Sequence, residues 1–168
     1  MRRAAALAIV LSALLSAIAS SALATGLPAA IRIDGPASVQ SGAEIEITIT
    51  LTNLTDEPIQ VGAQSSSRGA ERTFAIDVRD QNGRAVPRTT FGLALQGKGD
   101  HIDVILAQHE SFKVLTIEPG GELRQSSIVN RVFDMNAPGE YTISVKRKID
   151  SLGGATIQSN KIVVAVTE

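Results

Sequence analysis

Most of the chain beyond residue 25 alternates between apolar and polar residues with a period of two. In residues 44–52 every second residue is Ile or Leu, and those between are charged or hydroxylated. Successive side chains of a β-strand point to opposite faces, so this pattern predicts a strand with one buried and one solvated face. The same alternation predicts further strands at residues 74–79, 91–95, 102–106, 123–129, 141–145 and 162–166, and residues 112–117, apolar in both phases, predict another.

Turn residues separate these segments at short intervals. Asn82-Gly83 is a strong hairpin signal directly after an alternating segment, and Glu118-Pro119-Gly120-Gly121 predicts a tight turn. We count about eight or nine short strands and find no convincing helical pattern. The expected fold class is therefore all-β, with two antiparallel sheets packed as a sandwich.

The first 24 residues have the pattern of a signal peptide. Met1-Arg2-Arg3 is positively charged, residues 4–19 are almost wholly apolar, and Ala22-Leu23-Ala24 offers small residues for cleavage. We predict a signal peptide at 1–24 and one domain at 25–168, secreted or periplasmic, with no membrane span after cleavage. The alternative is an uncleaved membrane anchor.

Residues 137–145, APGEYTISV, sharpen the expected fold. The segment resembles the start of strand F in immunoglobulin domains, where a Tyr bonds back to backbone a few residues upstream. Tyr141 matches that position, and its hydroxyl is expected to reach Asp134 or Met135. Ile143 stands where antibody domains carry Cys, and the chain has neither Cys nor Trp. The chain therefore resembles the Cys-free bacterial immunoglobulin-like β-sandwich domains, a resemblance that implies a fold and no activity.

Charge and composition restrict the expected partners. Without its two signal arginines the chain has 14 basic and 17 acidic residues, a net charge of about −3. No basic surface of the kind that binds nucleic acid is predicted, so nucleic acid is excluded as an expected partner. The basic run Lys146-Arg147-Lys148 is interpreted as the solvated end of a strand, with Asp150 close by.

The two histidines suggest the one candidate metal site. His101 and Asp103 share a face of a predicted strand, and His109 follows in the next turn. Imidazole and carboxylate are ligands of divalent metals. The alternative, which we favour, is a solvated strand face, so no cofactor is predicted.

Two polar loops are candidate binding sites, because loops carry most binding functions of β-sandwiches. Their candidate residues are Ser65, Ser66 and Arg68 in the first loop and Lys98 and Asp100 in the second. No Gly-x-Ser-x-Gly motif is present. No pattern places two carboxylates across a cleft, so no enzymatic activity is predicted.

These features lead to a functional hypothesis with two alternatives. We expect a secreted or periplasmic, non-enzymatic binding or interaction domain whose partner is a protein or an envelope component. The first alternative is a secreted proteinase inhibitor with an immunoglobulin-like fold. The second is a metal-binding or hydrolytic protein that uses His101, Asp103 and His109.

Overall fold

A computed structural model of the chain describes residues 26–64, 69–98 and 112–168. These ranges contain ten β-strands, two short α-helices and two 3-10 helices. The strands are β1 Ala29–Asp34, β2 Ser38–Gln40, β3 Glu46–Asn53, β4 Ile59–Gln64, β5 Ala75–Asp80, β6 Phe112–Ile117, β7 Glu122–Ile128, β8 Gly139–Ile149, β9 Ala155–Gln158 and β10 Ile162–Thr167. The helices are α1 Thr90–Ala94 and α2 Val129–Val132, and the 3-10 helices are Ala70–Arg72 and Asp150–Leu152. The predicted signal peptide at 1–24 and the predicted strand at 102–106 lie outside these ranges.

The strands form three open sheets. One has the order β1-β3-β7, and a second has the order β2-β10-β8-β5, with β9 paired to the far end of β8. The third consists of β4 and β6 alone. Every pairing is antiparallel except that of β2 with β10. The prediction of an all-β, mainly antiparallel protein is confirmed.

All three sheets contribute side chains to one hydrophobic core. In β3 the burial alternates, and Ile47, Ile49 and Leu51 are fully buried. The segment 44–52 therefore has the phase that its sequence predicts. No helix in the described part of the chain is long and apolar enough to cross a membrane.

Tyr141 begins the buried phase of β8 and bonds back to the preceding loop. Its hydroxyl donates to the carbonyl oxygen of Ala137 at 2.8 Å, rather than reaching Asp134 or Met135. Burial raises the pKa of the phenol, and the negative charges of Asp134 and Asp80 raise it further. The hydroxyl therefore remains a protonated donor at neutral pH.

Helix α1 occupies a segment that the alternation predicts as a strand, so the expectation of a strand at residues 91–95 is wrong. The Thr89 hydroxyl accepts from the Gly92 amide at 3.1 Å and so caps the N-terminus of the helix. In the helix Phe91 and Leu95 are four residues apart and share a face, whereas Leu93 is exposed. The sequence shows no convincing helical pattern, yet the described residues include the short helices α1 and α2.

Helix α1 packs closely against α2. The carbonyl oxygen of Val132 accepts from the Thr89 amide at 3.0 Å, and the Thr89 hydroxyl donates to the carbonyl oxygen of Arg131 at 2.6 Å. Gly92 lies directly against Val132 and is buried. This contact positions the end of α1 beside α2, at one wall of the cleft described below.

Candidate functional site

A cleft of about 340 Å³ lies where the 3-10 helix Ala70–Arg72 and the start of β5 meet α1 and α2. Clefts that bind small molecules usually measure about 300–1,000 Å³ and combine apolar walls with a few polar groups. This cleft has both kinds of wall. The side chains that matter for its chemistry are Glu71, Arg72, Phe74, Arg88, Leu95 and Val132.

Arg88 contributes a positive charge to the cleft. It is half-buried, and its guanidinium lies over the Phe133 ring, 4.7 Å from the centroid. Burial lowers the pKa of Arg88. Among the described residues, no carboxylate forms an ion pair with it. The guanidinium is thus held in place by an aromatic ring, and its charge remains uncompensated by the described residues.

Glu71 contributes a negative charge to the same cleft. Its carboxylate oxygen Oε2 accepts a hydrogen bond from the Ser127 hydroxyl at 2.7 Å. Ser127 is buried in β7, and the neighbouring Ala70 is fully buried in the core. The hydrogen bond to Ser127 and the burial of Ala70 fix the position of Glu71 at the wall of the cleft.

Guanidinium groups cover each of the phenylalanine rings whose surroundings are described. Besides the Arg88–Phe133 pair, Arg131 lies 4.1 Å from the Phe91 centroid and Arg147 lies 4.8 Å from the Phe74 centroid. Such contacts contribute about 0.5–2 kcal/mol, depending on how far they are shielded from water. Arg131 is exposed and lies outside the cleft, whereas Phe74 lines it.

The interpretation of residues 146–148 as a solvated strand end is wrong for Arg147. Arg147 is only 8% exposed, and one of its guanidinium nitrogens donates to the Gly62 carbonyl oxygen, while Nη1 has no hydrogen-bond partner among the described residues. Burial lowers its pKa. Gln64, 4% exposed, likewise has no hydrogen-bond partner for either amide atom within the described ranges. Lys146 and Lys148 are exposed, as the interpretation expects, and Lys148 lies near Asp150, so only Arg147 of the three departs from it.

The residues predicted as sites are mostly beyond the described ranges. Ser65, Ser66 and Arg68 of the first candidate loop lie outside them, as do Asp100, His101, Asp103 and His109. Lys98 is described: it is exposed, its amide donates to the Leu93 carbonyl oxygen at 2.9 Å, and it does not line the cleft. Within 26–64, 69–98 and 112–168, no three His, Cys, Asp or Glu residues are grouped to hold a metal ion.

No protein-family model and no curated protein sequence matches the chain. Among solved structures, it matches a chain of the Pseudomonas fluorescens alkylpurine DNA glycosylase AlkC bound to DNA containing an abasic-site analogue. The two are 16% identical with a TM-score of 0.39, and the match covers 84% of this chain and 31% of that chain. A score this low supports no argument about activity.

The DNA-bound neighbour nevertheless stands against two expectations from the sequence, and both are corrected. The expected function as a binding or interaction domain and its two alternatives are not carried forward, whereas export is a separate expectation that rests on residues 1–24. The expected partners, a protein or envelope component with nucleic acid excluded, are withdrawn as well. The similarity is too weak to put DNA binding or repair in their place, so the function has to be argued from the cleft.

Proposed function

We propose that this domain binds a small anionic ligand in the cleft between α1, α2 and the start of β5. The observation that carries the proposal is Arg88, a half-buried residue that lines the cleft and has no acidic partner among the described residues. Arginine presents a planar fork of donors that matches carboxylate and phosphate groups. The anionic group of the ligand accepts hydrogen bonds from this fork.

Electrostatics and wall chemistry both support this assignment. A guanidinium that has lost part of its hydration is costly unless an opposite charge or hydrogen bonds compensate it. An anion in the cleft provides both forms of compensation. The cleft also presents Phe74, Leu95 and Val132 to the ligand, so a ligand with an apolar part gains from their contact.

Arg88→Gln is expected to weaken anion binding by about tenfold or more, since a hydrogen bond to a charged group contributes about 1.5–3 kcal/mol. Benzoate and phenyl phosphate serve as probes, titrated into the protein by isothermal calorimetry. The matched control is Arg131→Gln, which removes a guanidinium stacked on a phenylalanine outside the cleft. Equal affinities for wild type and Arg88→Gln, or equal losses in the two variants, would contradict the proposal.

We propose in addition that the fold is an immunoglobulin-like sandwich. The core shared by β3 of one sheet and β8 of the other supports two facing layers. The Tyr141–Ala137 hydrogen bond corresponds to the backbone contact that the resemblance implies.

Secretion is part of the same proposal and rests on the sequence of residues 1–24. We expect the exported protein to begin at Thr25, because cleavage by signal peptidase follows the small residues Ala22 and Ala24. N-terminal sequencing of protein recovered from the periplasm or the medium tests this. A chain that keeps Met1 and fractionates with membranes would instead establish the uncleaved anchor.

A further inference from the structure

We propose that the ligand of the cleft is a zwitterion of the α-amino-acid class, with Arg88 binding its carboxylate and Glu71 binding its ammonium group. This rests on the proposed anion binding and goes a step beyond it. Arg88 alone fits any small anion. The carboxylate of Glu71, which lines the same cleft, restricts the class of ligand to one that also carries a positive charge.

The Glu71 carboxylate is held in position, and no described residue compensates its charge. Its one described contact is the hydrogen bond that Oε2 accepts from Ser127, a neutral hydroxyl. No lysine or arginine among the described residues forms an ion pair with it. The second carboxylate oxygen therefore has acceptor capacity left for a donor that enters the cleft.

Glu71 and Arg88, two of the three charged residues that line the cleft together with Arg72, do not pair with each other. Glu71 is held by Ser127 in β7, and Arg88 is held by the Phe133 ring that follows α2. Opposite charges kept on separate supports bind a ligand that carries both charges itself. A ligand with only a negative charge would gain from Arg88 and be repelled by Glu71.

The remaining walls define the part of the ligand between and beyond its charges. Phe74, Leu95 and Val132 are apolar, and the cleft holds about 340 Å³. An amino acid with an apolar side chain matches this combination of size, charge and surface.

Three probes that share one phenyl group separate the contributions of the charges. L-phenylalanine carries both charges, 3-phenylpropionate lacks the amine, and phenethylamine lacks the carboxylate. Calorimetry on the wild-type protein is expected to show that phenylalanine binds about tenfold or more tightly than either analogue. This comparison needs no variant, so it stands even if a substitution prevents folding.

The variants then assign the charges. Glu71→Gln is expected to remove the preference for phenylalanine over 3-phenylpropionate and to leave the affinity for 3-phenylpropionate equal or higher. Arg88→Gln is expected to weaken the binding of both. Circular dichroism and the thermal midpoint of each variant show whether it is folded.

The outcomes distinguish this inference from the proposed function. If 3-phenylpropionate binds wild type as tightly as phenylalanine and Arg88→Gln weakens both, the ligand is a plain anion: the zwitterion inference fails and anion binding stands. If Arg88→Gln changes neither affinity, both the proposed anion binding at this site and the zwitterion inference are wrong. If none of the probes binds at millimolar concentration, the amino-acid class is overturned, and the benzoate and phenyl phosphate titrations alone decide on anion binding.

Discussion

Ile47→Ala is expected to lower the free energy of unfolding by about 2–5 kcal/mol, the usual range for truncating a fully buried isoleucine. Ile47 lies in β3, the central strand of the β1-β3-β7 sheet, and has no exposed surface. Its partners are already packed, so the lost methyl groups leave a cavity that neighbours fill only in part. Urea denaturation followed by circular dichroism measures the change.

Thr48→Ala is the matched control for this prediction. Thr48 is the next residue of the same strand and is exposed on the opposite face. Its truncation is expected to change the free energy of unfolding by no more than about 0.5 kcal/mol. A loss below that limit for Ile47→Ala, or similar losses for both variants, would mean that the buried face of β3 is assigned wrongly.

The strands could be predicted because their information is local. In β3, β5, β8 and β10 each buried side chain is followed by a more exposed one along most of the strand, and the sequence alternates in the same phase. The turn residues Asn82-Gly83 and Gly120-Gly121 lie at chain reversals, where Gly83 and Gly120 adopt positive φ angles of 75° and 71°. Period and turn chemistry are enough to place such elements.

Helix α1 could not be predicted by the same rule, since residues 91–95 satisfy two patterns at once. Phe91, Leu93 and Leu95 alternate as in a strand, and the first and last are also four residues apart as in a helix. Tertiary contacts decide between them: Thr89 caps the helix and donates its amide to Val132, more than forty residues along the chain. No feature of the sequence near residue 91 indicates that contact.

The burial of Arg147 could have been predicted from the sequence. This residue continues the series Tyr141, Ile143 and Val145 at intervals of two, and Ile149 follows it, so its side chain belongs to the buried face of β8. Its identity as a charged residue, with a lysine on either side, suggested solvent instead. The phase of a long strand is here a better guide to burial than the chemistry of one residue.

The cleft was beyond prediction because its charged groups come from unrelated parts of the chain. Glu71 lies in a 3-10 helix after a polar loop, Arg88 follows Pro87 before α1, and Phe133 follows α2. Neither Glu71 nor Arg88 belongs to a recognisable motif. Their roles follow only from their tertiary contacts: Ser127 bonds to the carboxylate, and the Phe133 ring stacks on the guanidinium. Function on this fold therefore depends on contacts between segments rather than on local sequence.

Gly92→Ala is expected to destabilise the protein by about 1–3 kcal/mol, the usual cost of forcing an extra methyl group into a packed site. A Cβ atom on Gly92 would lie 2.2 Å from the carbonyl oxygen of Val132, and no rotation of a methyl group relieves that contact. The backbone of α1 or α2 has to move. A loss of stability would be diagnostic of the steric clash, because alanine in a helix is otherwise favoured over glycine by about 1 kcal/mol.

Gly62→Ala is the matched control, since a Cβ atom on Gly62 would meet no atom within 4 Å. Its effect on the free energy of unfolding is expected to stay within about 0.5 kcal/mol. Gly92→Ala should also weaken binding of the benzoate probe, because Leu95 and Val132 on either side of the contact line the cleft. A Gly92→Ala variant that is as stable as wild type and binds equally well would show that α1 and α2 do not pack through this glycine. If stability falls but binding is unchanged, the cleft does not depend on how these two helices meet, and its charged groups alone would have to define the site.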